Sequence, residues 1–473
     1  MDNATQKYYV EHAQTYFEKT KQLDMKKFQE QFHQLLPHSA HILDIGCGSG
    51  RDLKYFKEQG HTAIGIEISK PLAQLAQEHS QCFIHIQDFQ NIPYPDKTFH
   101  GIWVCASLLH ATKEEFNNTW QEILRVTKPG AVIFLALKQG EKQTRDQNGR
   151  LYYYYDPKNI TKFCQQNNLY AFFQQTTSAD NTKWINIYIY KPNTTTITLN
   201  QAKNWGKIAL HHIENAEDEI RWYIQETWDI DLHTYLLSTN KTCTQEQEKK
   251  FWNFLQQRAQ YCPLAYIIGT QSFMDFTFQV NPSVLIPRPE TALIVEYIQQ
   301  YHSHIKTLLE IGTGSGCIII SLLKYLPQLQ ATGIEISLEA LETTYQNAQN
   351  LQVQERLLLL RGDIFSPLFP QPYFDIIVSN PPYISLEEYD TLMPDVKNYE
   401  PSIALLGGSD GLQFYKKIIS QSHLYLKQNG LLILEMGYQQ SDLIQQLAHK
   451  HHLKILQIIQ DYANIPRIII LQK

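Results

Sequence analysis

No stretch of this 473-residue chain approaches the roughly 20 consecutive apolar residues that a membrane-spanning helix needs. The opening segment, Met1-Asp2-Asn3-Ala4-Thr5-Gln6-Lys7, lacks the apolar core of a secretory signal, so the cytoplasm is the expected compartment. The seven cysteines include no Cys-x-x-Cys pair, which argues against a disulfide framework and against a zinc site. The 18 histidines form no His-Glu-x-x-His pattern, and His211-His212 and His451-His452 read as solvated helix faces. No metal is expected. Gln and Asn are abundant but dispersed among apolar positions, so no low-complexity tract is present.

The chain is long enough for about three domains, and 43% hydrophobic content suffices for folded cores. Charge is uneven. Residues 1–200 carry 21 Lys and Arg against 19 Asp and Glu, a net of +2, whereas residues 201–473 carry 20 against 28, a net of −8. An acidic carboxyl half disfavours nonspecific capture of DNA or RNA by its phosphates, but not a basic protein partner.

The most specific motif is Asn380-Pro381-Pro382-Tyr383, which follows the apolar run Phe374-Asp375-Ile376-Ile377-Val378-Ser379. That run reads as a buried strand, so the tetrad stands at the carboxyl edge where open α/β sheets bind ligands. An amide or exocyclic amine nitrogen is a poor nucleophile because its lone pair is delocalised. A site that attacks through it must accept its N–H protons and turn the lone pair toward the electrophile. The Asn380 side-chain carbonyl is such an acceptor, Pro381 fixes the chain for a second, and Tyr383 offers a flat wall.

Upstream, Leu308-Leu309-Glu310-Ile311-Gly312-Thr313-Gly314-Ser315-Gly316 runs from a strand into a Gly-x-Gly-x-Gly turn. Cys317 stands where a dinucleotide fingerprint would need its next glycine, which disfavours a nicotinamide cofactor. Glu310 would repel a pyrophosphate but suits the cationic methionine end of S-adenosyl-L-methionine. Glu335 closes the next strand, near the spacing of a carboxylate that grips ribose hydroxyls. Asp363, after Leu357-Leu358-Leu359-Leu360, is placed for the adenine edge.

The template occurs twice. Leu43-Asp44-Ile45-Gly46-Cys47-Gly48-Ser49-Gly50 matches Leu309 to Gly316, and Gly65-Ile66-Glu67-Ile68-Ser69 matches Gly333 to Ser337. Asp88 corresponds to Asp363. The separation is far beyond solenoid periods, so this is a duplicated domain type. At the corner occupied by Asn380, the first copy has Cys105, followed by Ala106-Ser107-Leu108. The two domains should not share a substrate. His110 could act there as a base with Arg51 or Arg145 binding an acidic group; the alternative is a helix-start His and surface arginines.

Lys191-Pro192-Asn193-Thr194-Thr195-Thr196 reads as a junction crossed by few contacts. Helical periodicity follows, as in Glu217 to Ile224, and Thr244 ahead of Gln247 marks a helix start. Phe273 to Val280 alternates, Asn281-Pro282 breaks it and Val284-Leu285-Ile286 resumes, which predicts a β-hairpin.

Pro263-Leu264-Ala265-Tyr266-Ile267-Ile268-Gly269, Leu285-Ile286-Pro287-Arg288-Pro289-Glu290-Thr291, Asn380 to Tyr383, Glu400-Pro401, Gly408-Ser409-Asp410-Gly411-Leu412 and Leu434-Glu435-Met436-Gly437 together resemble the bacterial release-factor glutamine methyltransferases over about residues 198–473. The resemblance implies a helical domain that helps bind the substrate, class 1 peptide chain release factors, and a class I methyltransferase domain that modifies the glutamine of their Gly-Gly-Gln loop. It implies that Gly312, Thr313, Gly314, Ser315, Gly316, Glu335, Asp363 and Ile364 hold the cofactor, with Asn380 also touching it, and that Asn380, Pro381, Pro382 and Tyr383 hold the glutamine amide. Ile364 departs from the aromatic residue frequent there in the family, leaving an apolar wall. Residues 1–192 resemble methyltransferases carrying Gly46 to Asp52 and Ala106 to His110 motifs, which implies a cofactor held by Asp44, Gly46, Gly48, Gly50, Glu67 and Asp88 but no substrate.

The expected fold class is α/β: two Rossmann-like class I methyltransferase domains, 1–192 and 290–473, with a small helical domain, 198–269, and a β-hairpin linker, 270–289, between them. The alternatives are an adenine-N6 nucleic-acid methyltransferase, since an exocyclic amine asks for the same tetrad, and a first domain that only binds cofactor as a scaffold. Because each copy carries its own turn and acids, residues 198–473 are expected to fold and act alone.

Overall fold

A computed structural model describes residues 2–473. The chain forms two compact units, one ending at Gln260 and the other beginning at Tyr261. In the first, β1 (His41–Ile45), β2 (Thr62–Glu67), β3 (Phe83–Ile86), β4 (Phe99–Cys105) and β5 (Thr127–Lys138) are followed by a small hairpin of β6 (Gln143–Arg145) and β7 (Leu151–Tyr153), then β8 (Tyr170–Thr177) and β9 (Lys183–Tyr190). Seven of these form one sheet in the order β3-β2-β1-β4-β5-β9-β8. β1 to β5 run parallel, and β9 and β8 are antiparallel.

The second unit repeats the plan. A hairpin of β10 (Thr270–Phe273) and β11 (Phe276–Gln279) precedes β12 (Thr307–Ile311), β13 (Gln330–Glu335), β14 (Leu357–Arg361), β15 (Phe374–Ser379), β16 (Leu426–Glu435), β17 (Lys454–Gln460) and β18 (Pro466–Gln472). The sheet order is β14-β13-β12-β15-β16-β18-β17. The central strands are near-continuous apolar runs because helices cover both faces of a parallel sheet. Both domains are Rossmann-like. Strand order reverses between β1 and β4 and between β12 and β15, which opens a crevice at the carboxyl edge.

The predicted hairpin exists, but its turn falls at Met274-Asp275, so Phe273 pairs with Phe276 and Val284 to Ile286 form no strand. Met274 takes a left-handed φ of 51°, which lets two residues reverse the chain inside the alternating run. The segment beyond it is irregular and is held by Glu400. This buried carboxylate accepts from the Ile286 backbone N–H at 3.2 Å and pairs with the Arg288 guanidinium.

Four helices, Leu199–Ala209, Ala216–Trp228, Leu232–Leu237 and Gln245–Arg258, follow β9 within the first unit. Thr198 with Gln201, and Thr244 with Gln247, close reciprocal capping boxes that start two of them. These helices pack on the antiparallel edge of the first sheet. Trp252 stacks on Tyr190 at 4.7 Å and on Tyr170 at 5.0 Å, with Trp205 edge-on at 5.4 Å. Glu248 joins the cluster, accepting from Trp252 Nε1 at 3.0 Å and from the Tyr190 hydroxyl at 3.4 Å. The expectation of few contacts across Pro192 to Thr196 is therefore overturned. The polar stretch is short, and the aromatic residues of β8 and β9 meet tryptophans on both flanking helices.

Candidate active site

The carboxyl edge of the second sheet encloses a cavity of about 330 Å³. Glu310 and Gly312 to Ser315, Glu335, Asp363 and Ile364, and Asn380 to Pro382 all line it. Residues from four strand ends are thus brought to one space by the sheet alone. Gly312 and Gly314 have φ of 75° and 54°, and nothing lies within 4 Å of where a side chain would start. A ligand can therefore approach the backbone there. Gly316 has a different duty, since its missing side chain would collide with Ile320 and Thr344.

Glu335 grips the turn. Its Oε2 accepts from Gly314 N–H at 3.0 Å and its Oε1 from Ser337 N–H at 3.1 Å. A carboxylate offers about four lone-pair sites, which leaves capacity for hydroxyl donors. Glu310 is 1% exposed and accepts from Ile319 N–H at 3.1 Å. Burial raises its pKa well above the ordinary value. Asp363 is exposed and faces Lys417 at 3.3 Å, while Ile364 is buried beside it in the apolar wall.

At the tetrad, Asn380 Nδ2 donates to Thr291 Oγ1 at 3.3 Å, and the Thr291 hydroxyl donates to Glu435 Oε2 at 2.7 Å. Tyr383 turns from the cavity wall toward Gly437, and its carbonyl accepts from Gln440 Nε2 at 2.8 Å. Burial raises its hydroxyl pKa to about 12. Thr291, Glu435 and the Arg288–Glu400 pair were not among the site residues expected from sequence. The available signal was Glu435 itself, a carboxylate ending an apolar strand in the manner of Glu310 and Glu335.

The first domain reproduces the turn but fills the corner differently. Glu67 accepts from Gly48 N–H at 3.1 Å and Ser69 N–H at 2.9 Å, and burial lifts its pKa to about 7. Asp44 is buried with Oδ2 unpartnered, and burial raises its pKa well above the ordinary value. Asp88 lies beyond β3, where it accepts from Gln90 N–H at 2.9 Å. Gly46 is crowded by Ser107, Gly48 faces the Tyr16 ring, and a side chain at Gly50 would strike the Ala76 carbonyl. His110 is 3% exposed, with Nδ1 on the Leu151 carbonyl at 2.6 Å and Nε2 on the Tyr9 hydroxyl at 2.9 Å. Burial lowers its pKa to about 4. Arg51 is paired with Asp52 at 2.7 Å and Arg145 with Asp2 at 2.9 Å. Both arginines are committed to intramolecular pairs.

Comparison with known proteins matches three segments of the chain. Residues 43–135 match the family described as a methyltransferase domain, residues 201–269 the PrmC N-terminal domain, and residues 289–393 the methyltransferase small domain. A release factor glutamine methyltransferase of Geobacter sulfurreducens is 39% identical over 249 residues, covering 52% of this chain and 87% of that protein. One from Thermodesulfovibrio yellowstonii is 36% identical over 275 residues, covering 56% of this chain and 98% of that protein. A bifunctional methyltransferase of Rickettsia bellii is 37% identical over 296 residues, covering 56% of this chain and 53% of that protein. The cofactor of such domains is S-adenosyl-L-methionine, and the cavity fits it. The open face at Gly312 and Gly314 admits a ligand against the backbone, Glu310 and Glu335 suit a cation and hydroxyls, and Ile364 supplies an apolar wall. Through its carboxyl-terminal part the chain belongs to the release factor glutamine methyltransferase family, preceded here by a second class I methyltransferase domain.

Proposed function

We propose that this protein methylates the side-chain amide nitrogen of the glutamine in the Gly-Gly-Gln loop of class 1 peptide chain release factors. The observation that carries this reading is Asn380, which stands in the wall of the cavity that also holds the Gly turn and Glu335. When bound, S-adenosyl-L-methionine supplies an electrophilic methyl group. Glu335 and the turn backbone hold the ribose side, and the positive charge of the cationic end counters the burial that favours the neutral Glu310 carboxyl, so that Glu310 can meet it ionised. Asn380 Oδ1 accepts an amide N–H of the glutamine, which turns the nitrogen lone pair toward the methyl. Pro381 and Pro382 stiffen the strand exit so that this acceptor is preorganised. The methyl would leave the sulfonium sulfur, giving neutral S-adenosylhomocysteine, as the C–N bond forms. The amide proton, acidic once the methyl is on, would pass to water, so no strong base is needed before attack.

Labelled cofactor with a release factor should label the protein, and a Gln→Ala loop variant of that factor should take up no label. Equal labelling of both would sink the glutamine assignment. The acidic carboxyl half supports a protein substrate over a nucleic acid.

For the first domain we favour a supporting role alongside cofactor binding. The packing of Trp252 on Tyr170 and Tyr190 makes its sheet the base on which the helical module rests. Calorimetry with S-adenosylhomocysteine should find two sites in the native chain. Glu335→Ala and Glu67→Ala should each weaken one and spare the other. A native protein with one site would show that the first domain serves as scaffold alone.

A further inference from the structure

Asn380 and Thr291 line the cavity and, with Glu435, form one directional chain: Asn380 Nδ2 to Thr291 Oγ1 at 3.3 Å, then Thr291 O–H to Glu435 Oε2 at 2.7 Å. They come from distant parts of the sequence, namely the strand exit after β15, the segment pinned by Glu400, and the end of β16. Thr291 is 2% and Glu435 3% exposed, so water cannot readily replace either partner. An asparagine amide has two chemically opposite ends of nearly equal size. Only its oxygen can receive an N–H, and a flipped amide would present donors to donors.

We propose that Thr291 and Glu435 are positioning residues that fix the polarity of the Asn380 amide, holding its nitrogen inward and its oxygen toward the methyl-accepting N–H. The inference rests on the reading of Asn380 given above and deepens it. An ionised carboxylate can only accept hydrogen bonds. Thr291 must therefore donate to Glu435, and its lone pairs then face Asn380. The only group Asn380 can offer to those lone pairs is its NH2. Protonated Glu435 can donate to Thr291 instead, whose own proton is then free to turn toward Asn380 and favour the flipped amide. The charge on Glu435 thus sets the direction of the whole chain.

The groups around Glu435 bear on when this happens. Burial raises its pKa to about 7, opposed by the Thr291 hydrogen bond, by Arg467 and by a hydrogen bond from Asn380 itself, and assisted by Glu290. The Asn380 NH2 thus reaches the carboxylate directly as well as through Thr291. Arg467 is itself held by Asp461 at 2.8 Å. Tyr383 and Tyr415 lie alongside, the latter donating to the Glu435 backbone carbonyl at 2.8 Å. Both phenols stay neutral in this range, because burial raises their pKa values. The active form is the ionised one, so turnover should fall as pH drops through about 7.

The test uses the full chain with a release factor as substrate. Thr291→Val should lower kcat about 10²-fold, as for loss of one preorganised hydrogen-bonding group. Its KM for release factor and its affinity for S-adenosylhomocysteine should stay near native. Thr291→Ser should recover most of the lost turnover. Glu435→Gln should remove the acid limb of the pH profile. A folded Thr291→Val protein with native kcat, or a Glu435→Gln protein that keeps the acid limb, would overturn the proposal. Should Thr291→Val fail to fold, the serine variant and the pH profile still decide. A native chain that labels no release factor would instead refute the proposed function. The polarity lock is then read by NMR on 15N-asparagine-labelled protein bound to S-adenosylhomocysteine. The Asn380 side-chain amide, assigned with Asn380→Asp, should respond to the titration of Glu435 and lose that response in Thr291→Val. An Asn380 amide indifferent to pH in the native protein would rule the lock out.

Discussion

Asn380→Ala should lower turnover on release factor about 10²-fold or more, by the loss of one preorganised hydrogen-bonding group. S-adenosylhomocysteine affinity should change little, because most of the residues assigned to the cofactor are elsewhere in the lining. The turn backbone, Glu310 and Glu335 also line the cavity, and these remain untouched. The substitution also strands Thr291, whose hydroxyl keeps Glu435 as its acceptor, so the fold should survive. Steady-state kinetics should therefore show kcat falling with cofactor affinity held. Near-native turnover at saturating release factor would show that another group receives the amide proton.

Removal of residues 1–197 should have the second large effect, and here the structure reverses what the sequence led us to expect. In the full chain Trp252 is 1% and Trp205 1% exposed, and their aromatic partners Tyr170, Phe172 and Tyr190 lie in β8 and β9. Truncating one large buried aromatic side chain costs about 3–5 kcal/mol, and the deletion strips a wall from two tryptophans at once. Glu248 would also lose its Tyr190 donor. That loss rivals the total stability of a small domain, about 5–15 kcal/mol. A 198–473 fragment should aggregate or melt well below the full chain, with the loss confined to the helical module. The point substitution Trp252→Ala in the full chain should reproduce much of the destabilisation. A fragment that unfolds cooperatively at the native midpoint would show that the aromatic interface is dispensable.

The failed expectation has a physical origin. Pro192 to Thr196 is polar, and polarity in a short linker says only that the linker itself is solvated. Whether the flanking elements touch depends on which faces they present. Tyr170, Phe172 and Tyr190 alternate with other residues along two strands, and no one-dimensional pattern says that a tryptophan far along the chain will cover them. The hairpin shows a milder version. Its alternation was legible, but the turn position was not, because Met274 and Asp275 carry no glycine or proline to mark the left-handed residue.

What the sequence determined by itself sits within a few residues of the strand ends, with Glu435 at the end of β16 and the direction of Tyr383 as exceptions. The two Gly turns, the carboxylates Glu67 and Glu335, the tetrad, the duplicated template and the α/β class were all readable. In a parallel sheet each strand end delivers its next few residues to the same edge, so order along the chain becomes proximity in space. The tertiary structure alone decided what lies behind that edge. It joined Thr291 and Glu435 to Asn380, set Glu400 under the Ile286 to Arg288 segment, and turned Tyr383 away from the cavity toward Gly437. It also sealed His110 between Tyr9 and Leu151 and seated the helical module on the first sheet. Each of these is a contact between side chains remote in sequence, fixed by packing and hydrogen-bond satisfaction in a buried space, where no local spacing carries the information.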